Sequence, residues 1–164
     1  MADFASESGM DLLLWRHAEA EDGVSDMQRQ LTARGEKQAE QVAQWLKIHA
    51  PKQMNIVASP AKRTRQTAEA LDLPFSTDPR LSPEGSVSGI LAAIGWPEGK
   101  GVRGEAVLVV GHQPALGRLA SLLLAGQEAE WTIKKGAVWW FTNRVRQGET
   151  QTVLRAVIPP DLVR

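Results

Sequence analysis

Two of the three histidines in this sequence each follow a short, continuous run of apolar residues. Residues 11–15 (DLLLW) lead through an arginine into His17, and residues 106–110 (AVLVV) lead through a glycine into His112. Such runs are typical of strands that are covered on both faces of a parallel sheet. Open α/β sheets build their sites beyond the carboxyl ends of their strands. We therefore expect both imidazoles at one sheet edge, where a neutral imidazole can act as a nucleophile and a protonated one as a donor.

Cationic side chains accompany these histidines. Arg16 directly precedes His17, and a third, weaker apolar run at residues 55–58 (NIVA) leads into a helical segment whose first turns carry Lys62, Arg63 and Arg65. The amides at the start of that helix add further positive potential. Three strand ends thus supply imidazole, guanidinium and ammonium groups, which together predict a pocket for a dianion.

Helical patterns follow the apolar runs and complete an α/β arrangement. Each pattern has one apolar face, made by Ala39, Val42, Ala43 and Leu46 in the first helix and by Leu116, Leu119, Ala120 and Leu123 in the last. Thr32, Ser59 with Pro60, and Pro114 stand where helices should begin. Residues 137–141 and 152–158 are predicted strands of a hairpin, joined through a polar stretch around Gly148. The glycine-rich residues 95–104 are predicted to form a loop.

Composition limits the classes of function. The 164 residues fit one domain, 1–164, with residues 1–10 expected to be a flexible N-terminus. Lysine plus arginine equals aspartate plus glutamate, 19 each, so the net charge favours neither nucleic acid nor an anionic membrane as a partner. The absence of cysteine excludes disulfides and thiol nucleophiles. Without a signal peptide or an apolar run long enough to span a bilayer, we expect a cytoplasmic protein.

The order of motifs resembles the histidine phosphatase superfamily, and within it the short SixA-like phosphohistidine phosphatases. The resemblance covers roughly residues 11–125 and rests on Arg16-His17, Arg29-x-Leu31-Thr32-x-x-Gly35 with Gln38-Ala39, Ser59-Pro60-x-x-Arg63-x-x-Gln66-Thr67, Leu81-x-Pro83-x-Gly85 and Gly111-His112-x-Pro114. It implies a phosphoglycerate mutase-like fold, a three-layer α/β sandwich with a mostly parallel central sheet flanked by helices.

The resemblance also implies roles for individual residues. His17 attacks phosphorus and becomes a phosphohistidine that water then hydrolyses, without a cofactor. Arg16 and Arg63 bind the phosphoryl oxygens, which guanidinium forks match in geometry. His112, protonated beside the bound phosphate, donates to another oxygen. For this chemistry the attacking nitrogen of His17 must be bare, so we expect its other ring nitrogen to donate to a backbone carbonyl.

The sequence departs from the family in three places. Ala18 stands where glycine is usual, which is tolerable if its φ is negative. Gln113 follows the second histidine, where one branch has an aspartic acid. Glu84 is then a tentative acid and substrate-binding residue, although a solvated loop position describes it as well. An alkoxide leaving group needs a proton from such an acid, whereas imidazole can leave neutral, so the weak acid assignment favours an N–P substrate.

The leading functional hypothesis is therefore a phosphatase for phosphohistidine on a signalling or phosphocarrier protein. A phosphomonoesterase for small metabolites is the main alternative. The short chain leaves few residues for a lid and so favours a protein substrate. A mutase and a non-catalytic module that binds phosphohistidine are further alternatives, the latter disfavoured by the complete set of Arg16, His17, Arg63 and His112.

Other candidate features have simpler interpretations. The glycine pattern at residues 99–104 matches G-x-G-x-x-G but precedes a strand, whereas a dinucleotide motif follows one. Two arginines in the same pocket would repel a divalent cation, so no metal is expected. His49 lies at a predicted helix C-terminus, where cations are favoured, and Arg65 should face away from the pocket.

Overall fold

The computed structural model describes residues 9–97 and 106–163. Its six strands are β1 Gly9–Arg16, β2 Met54–Ala58, β3 Ser76–Thr77, β4 Ala106–Gly111, β5 Val138–Arg146 and β6 Glu149–Ile158. Over these described ranges the α-helices are α1 Ala33–His49, α2 Lys62–Glu69, α3 Val87–Ile94 and α4 Ala115–Ala125. Short 3-10 turns lie at Asp26–Gln28, Pro79–Leu81 and Pro160–Leu162.

The strands form one mixed sheet in the order β3-β2-β4-β1-β5-β6. The first four strands in that order are parallel, and β5 and β6 complete the sheet as an antiparallel hairpin. Arg16 at the end of β1 is level with Gly111 at the end of β4, and Ala58 at the end of β2 is level with Val110. The backbone of His17 then donates to the Gly111 carbonyl (3.1 Å). The three predicted strand exits therefore lie side by side.

Each face of the sheet is covered by two helices. Helices α1 and α2 pack on one face against a buried cluster that includes Trp15, Leu46 and Leu108. Helices α3 and α4 pack on the other face, where Leu14 and Leu116 are buried. Because β4 is buried at every position, its continuous apolar sequence follows directly from coverage on both faces. The predicted three-layer α/β fold is confirmed.

Local signals located most elements. Thr32 accepts a hydrogen bond from the Gly35 amide at the start of α1, as a capping residue should. The hairpin turn is two residues long, Gln147 and Gly148, both with positive φ (53° and 80°), so β5 and β6 extend further towards each other than expected. Strand β1 begins at Gly9 and not at Asp11.

The sequence analysis did not assign α3 or β3. Most of the predicted loop at 95–104, the G-x-G-x-x-G pattern and residues 1–8 lie outside the described residues. Within the described ranges, no helix is both long and apolar enough to cross a membrane.

Candidate active site

The exit of β1 is fixed by contacts with main-chain atoms of residues 133–136. The Nη1 of Arg16 donates to the Ile133 carbonyl (2.8 Å), and the indole of Trp15 donates to the Gly136 carbonyl (2.9 Å). The Gly136 amide in turn donates to the carbonyls of Arg16 and His17 (3.1 and 3.0 Å). Each of the two segments both donates to and accepts from the other, so the backbone that carries Arg16 and His17 is held firmly.

Gly136 is required for this arrangement. Its φ of +76° belongs to the left-handed region, and a Cβ atom there would lie 2.8 Å from Cγ of Pro160. A larger residue would be strained in its backbone and would also push away the C-terminal 3-10 turn.

His17 is buried, and its ring has a defined tautomer. The Nδ1 atom lies 2.7 Å from the carbonyl oxygen of Ala18. Because a carbonyl oxygen only accepts, Nδ1 carries the proton and Nε2 of the neutral ring is bare. The expected backbone partner for the second ring nitrogen is therefore confirmed. Ala18 is not among the residues with positive φ, so replacing the usual glycine causes no backbone strain.

The surroundings of His17 keep its ring neutral. Burial lowers its pKa to about 4, although the bond to Ala18 acts in the opposite direction. The positive charges of Arg63, Arg16 and Arg29 lower the pKa further. The desolvated environment also lowers the pKa of Arg16.

His112 lies next to His17, with their ring centroids 5.2 Å apart. Its Nε2 atom pairs with Oγ of Ser59 at 2.8 Å, while Nδ1 is buried without a partner among the described residues. Burial first, then the charge that His17 takes when it is itself protonated, and then the charges of the two arginines lower its pKa to about 3, although Asp26 acts in the opposite direction. His112 is therefore neutral in the free protein, and its protonation by a bound phosphate stays a prediction.

Arg63 reaches the site from the first turn of α2 and is almost completely buried, with 4% of its side chain exposed. Its Nη1 and Nη2 atoms donate to the carbonyl oxygen (2.7 Å) and the carboxylate (3.1 Å) of Asp26. Its Nε atom is buried and has no partner among the described residues. One edge of the guanidinium is thus held by Asp26, and the Nε hydrogen remains for another acceptor.

Asp26 and Arg29 form the part of the site that the sequence analysis missed. The Nη1 of Arg29 donates to the Asp26 carboxylate (3.1 Å), and its Nε donates to the Glu21 carbonyl (2.7 Å). Burial raises the pKa of Asp26, but the hydrogen bonds and charges of Arg29 and Arg63 outweigh it and lower the pKa. Arg29 begins the Arg29-x-Leu31-Thr32-x-x-Gly35 motif, so the sequence indicated a role for it. No local sequence pattern indicated Asp26.

Two other candidates are placed differently. The Nε of Arg65 donates to the carbonyl of Pro60 (3.0 Å). The Arg65 side chain therefore lies against the start of its own helix and does not pair with Asp26 as Arg63 does. Glu84 is exposed on the loop before α3 and has no hydrogen-bond or ion-pair partner in the part of the chain that the structure describes. Among the described residues, Glu84 therefore forms neither a hydrogen bond nor an ion pair with Arg16, Arg63 or His112.

The arrangement is suited to phosphoryl chemistry. It combines a neutral imidazole with a bare nitrogen, two guanidinium groups whose Nε donors are buried and unused, and a second imidazole. His17, Arg63 and His112 are buried, and Arg16 is half-buried. In such a site fixed donors stabilise charge on a phosphoryl group more strongly than they would in water. No cluster of three or more potential metal ligands occurs among residues 9–97 and 106–163.

Known proteins resemble this chain in sequence and in structure. Residues 12–84 match the model for the histidine phosphatase superfamily (branch 1). The phosphohistidine phosphatase SixA of Escherichia coli is 34% identical over 125 residues, which cover 72% of this chain and 76% of that protein. A structure of the protein histidine phosphatase SixA complexed with tungstate has a TM-score of 0.76 at 27% identity, covering 93% and 99% of the two chains.

A SixA from Nakamurella multipartita, described as a putative phosphohistidine phosphatase, has a TM-score of 0.72 at 28% identity, with 91% and 95% coverage. The motifs, the fold and these likenesses agree, and the chain belongs to branch 1 of the histidine phosphatase superfamily.

Proposed function

We propose that this phosphatase hydrolyses phosphohistidine on a signalling or phosphocarrier protein through a phosphorylated His17 intermediate. The observation that carries the proposal is the bond between Nδ1 of His17 and the Ala18 carbonyl, which leaves Nε2 with a free lone pair inside a cationic pocket. The E. coli relative, named a phosphohistidine phosphatase, supports the substrate class. The tungstate in a related SixA structure is a tetrahedral oxyanion like phosphate.

The first step transfers the phosphoryl group to His17. The Nε2 lone pair forms a bond to phosphorus while the phosphorus–nitrogen bond of the substrate breaks. The electron pair of that bond returns to the leaving imidazole, which departs neutral because its remote nitrogen carries a proton. Arg16 and the free Nε of Arg63 bind the phosphoryl oxygens, whose negative charge must be balanced in the transition state.

The second step releases phosphate. A water molecule attacks phosphorus from the side left by the substrate imidazole and passes one of its protons to a phosphoryl oxygen. The bond to Nε2 breaks, His17 recovers its lone pair, and the product is dihydrogen phosphate. The bound dianion raises the proton affinity of His112, which then donates to a phosphoryl oxygen. Neither step requires Glu84 when the leaving group is imidazole.

The decisive experiment compares turnover of a histidine-phosphorylated protein with turnover of sugar and nucleotide monophosphates. We expect kcat/KM to be higher for the phosphohistidine protein, because the carboxylate that pairs with Arg63, that of Asp26, has a lowered pKa and is a poor proton donor for an alkoxide leaving group. Faster hydrolysis of the monophosphates would instead establish the phosphomonoesterase alternative. Stoichiometric binding of phosphohistidine without turnover would establish a binding module.

A further inference from the structure

A second feature adjoins Arg16, and neither His17 nor His112 lines it. It is a cavity of about 580 Å³ between the start of α1, residues 132–135 and the C-terminal 3-10 turn. Five cations line it: Arg16, Arg34, Lys37, Lys134 and Lys135. Two carboxylates, Glu19 and Asp161, also line it. We refer to this space as the cationic cavity.

The cationic cavity concentrates charge that the chain as a whole does not have. The protein has 19 cations and 19 carboxylates, whereas the lining has an excess of three positive charges. The two carboxylates do little to neutralise them, since Glu19 is 4.0 Å from Arg34 and Asp161 is 3.9 Å from Lys134. Ion pairs of that length between exposed groups are weak. A concave surface with one sign of charge attracts the opposite charge.

The cationic cavity is joined to the active site by rigid contacts. Arg16 belongs to both, and its guanidinium holds the Ile133 carbonyl, directly before Lys134 and Lys135. On the other wall, Gly35 of α1 packs so closely on the backbone of Glu19 that a Cβ atom would overlap it. A group bound in the cavity would therefore have a fixed position relative to His17.

We propose that the cationic cavity binds acidic side chains of the phosphohistidine-carrying protein, a role that rests on the proposed function. The cations other than Arg16 are exposed, with 78% of the Arg34 side chain and 69% of the Lys134 side chain accessible. These long, exposed side chains at the open edge of the cavity can bind carboxylates on the surface of a protein substrate. A small phosphate would be taken by the buried arginines next to His17. Charge complementarity of this kind acts mainly on encounter and on KM.

The test uses two variants with the same change of charge. In Lys37→Glu/Lys134→Glu two cations of the cavity are reversed. In the control, Lys47→Glu/Lys52→Glu, two exposed lysines at and just beyond the other end of α1 are reversed. Lys47 is about 15 Å along the helix from Lys37 at 1.5 Å per residue. The substrates are a peptide with phosphohistidine flanked by glutamates and the same peptide with glutamines.

We expect the wild-type protein to prefer the glutamate peptide through a lower KM, and the preference to fall with rising salt. The cavity variant should reduce the ratio of kcat/KM for the glutamate peptide to kcat/KM for the glutamine peptide about tenfold, which is the effect expected from losing two exposed ion pairs. The reduction should come from a change in KM. The control variant should keep the wild-type ratio.

Equal effects of the two variants, or a wild-type protein that does not distinguish the peptides, would overturn the cavity assignment while leaving phosphohistidine hydrolysis intact. A wild-type protein that hydrolyses neither peptide would instead overturn the proposed function, and the cavity assignment with it. The wild-type rate on the peptides thus tests the proposed function, and the ratio of kcat/KM for the two peptides tests the cavity assignment.

Discussion

Arg16 and Arg63 flank the same histidine but are held in different ways. Arg16 donates to a neutral main-chain carbonyl, that of Ile133, within backbone that is itself bonded to β1. Arg63 donates to both the carbonyl and the carboxylate of Asp26, whose side chain is 53% exposed in the loop before α1. One side of the site is therefore fixed by the fold, and the other depends on a charged side chain.

The difference has a physical consequence. Ile133 is fully buried, and the main chain after it, at Gly136 and Ala137, is hydrogen-bonded to the end of β1, so the geometry of Arg16 and His17 is formed before substrate arrives. Under the proposed function, the Asp26 carboxylate that neutralises Arg63 in the free protein would have to share that guanidinium with the incoming phosphate dianion. Substitutions at Asp26 should therefore change substrate binding by small amounts, whereas substitutions at the end of β1 should abolish activity.

The strongest test of the fixed side is His17→Ala. We expect turnover to be abolished because the covalent step is lost, while the free energy of unfolding changes little for a side chain at a strand end. Acid-labile phosphate should be trapped on wild-type protein only. The control is His49→Ala, which removes a histidine at the end of α1. If His17→Ala kept near wild-type rates, the covalent mechanism would be wrong.

Arg63→Ala should have the next largest effect. Losing one guanidinium from a buried phosphoryl site should reduce kcat by about 10²- to 10³-fold, as for a lost oxyanion donor. Arg63→Lys should restore little, since an ammonium cannot use the same fork geometry. Arg65→Ala, two residues along α2, is the matched control and should stay close to wild type. Similar losses in the Arg63 and Arg65 variants would refute the assignment.

Asp26→Ala tests whether the loop carboxylate positions Arg63. We expect kcat/KM to fall about tenfold, comparable to the loss of one hydrogen bond to a charged group, because the Asp26 carbonyl still holds Nη1. Asp26→Asn should recover part of the loss, since its amide oxygen can still accept from Nη2. A lower KM in Asp26→Ala would show that the carboxylate competes with phosphate and does not position the arginine.

The buried histidines should make the protein sensitive to acid. Their pKa values of about 4 and about 3 in the folded protein lie below the value of about 6.5 for an unfolded chain. Between these values the unfolded chain binds protons that the folded protein does not. The free energy of unfolding should thus fall by about 1.4 kcal/mol per pH unit for each histidine as pH drops from about 6.5 towards 4, and show no such slope above 6.5.

Urea unfolding at several pH values, with His17→Asn/His112→Asn for comparison, measures this slope. The double variant should lose stability less steeply below pH 6.5. Parallel curves for wild type and variant would mean that the two rings bind protons as readily in the folded protein as in the unfolded chain, and that burial does not keep them neutral below pH 6.5.

Glu84→Gln should have the smallest effect. Because Glu84 is exposed and an imidazole leaving group needs little help, phosphohistidine hydrolysis should change little, whereas residual activity on alkyl phosphates should fall more. The ratio of kcat/KM for the two substrates cancels general damage to the site. Equal losses on both would make Glu84 structural, and a large loss on phosphohistidine alone would contradict the leaving-group argument.

Features that are set by residues close together in the sequence could be predicted from the sequence. The apolar runs located β1, β2 and β4, Thr32 identified the start of α1, and the turn residues located the hairpin of β5 and β6. Helix α3 was missed because its eight residues are almost uniformly apolar. Strand β3 was missed because two exposed residues become a strand only by pairing with β2.

By itself the sequence determined the fold class, the side-by-side strand exits and the motifs that bring Arg16, His17, Arg63 and His112 to them, because apolar periodicity and turn chemistry act over a few residues. Only the tertiary structure decided how these groups are held and charged. Arg63 meets Asp26, His112 meets Ser59 and Arg16 meets Ile133 across 37, 53 and 117 residues of chain. Burial, which sets both imidazoles neutral, likewise exists only once the sheet and helices have packed together.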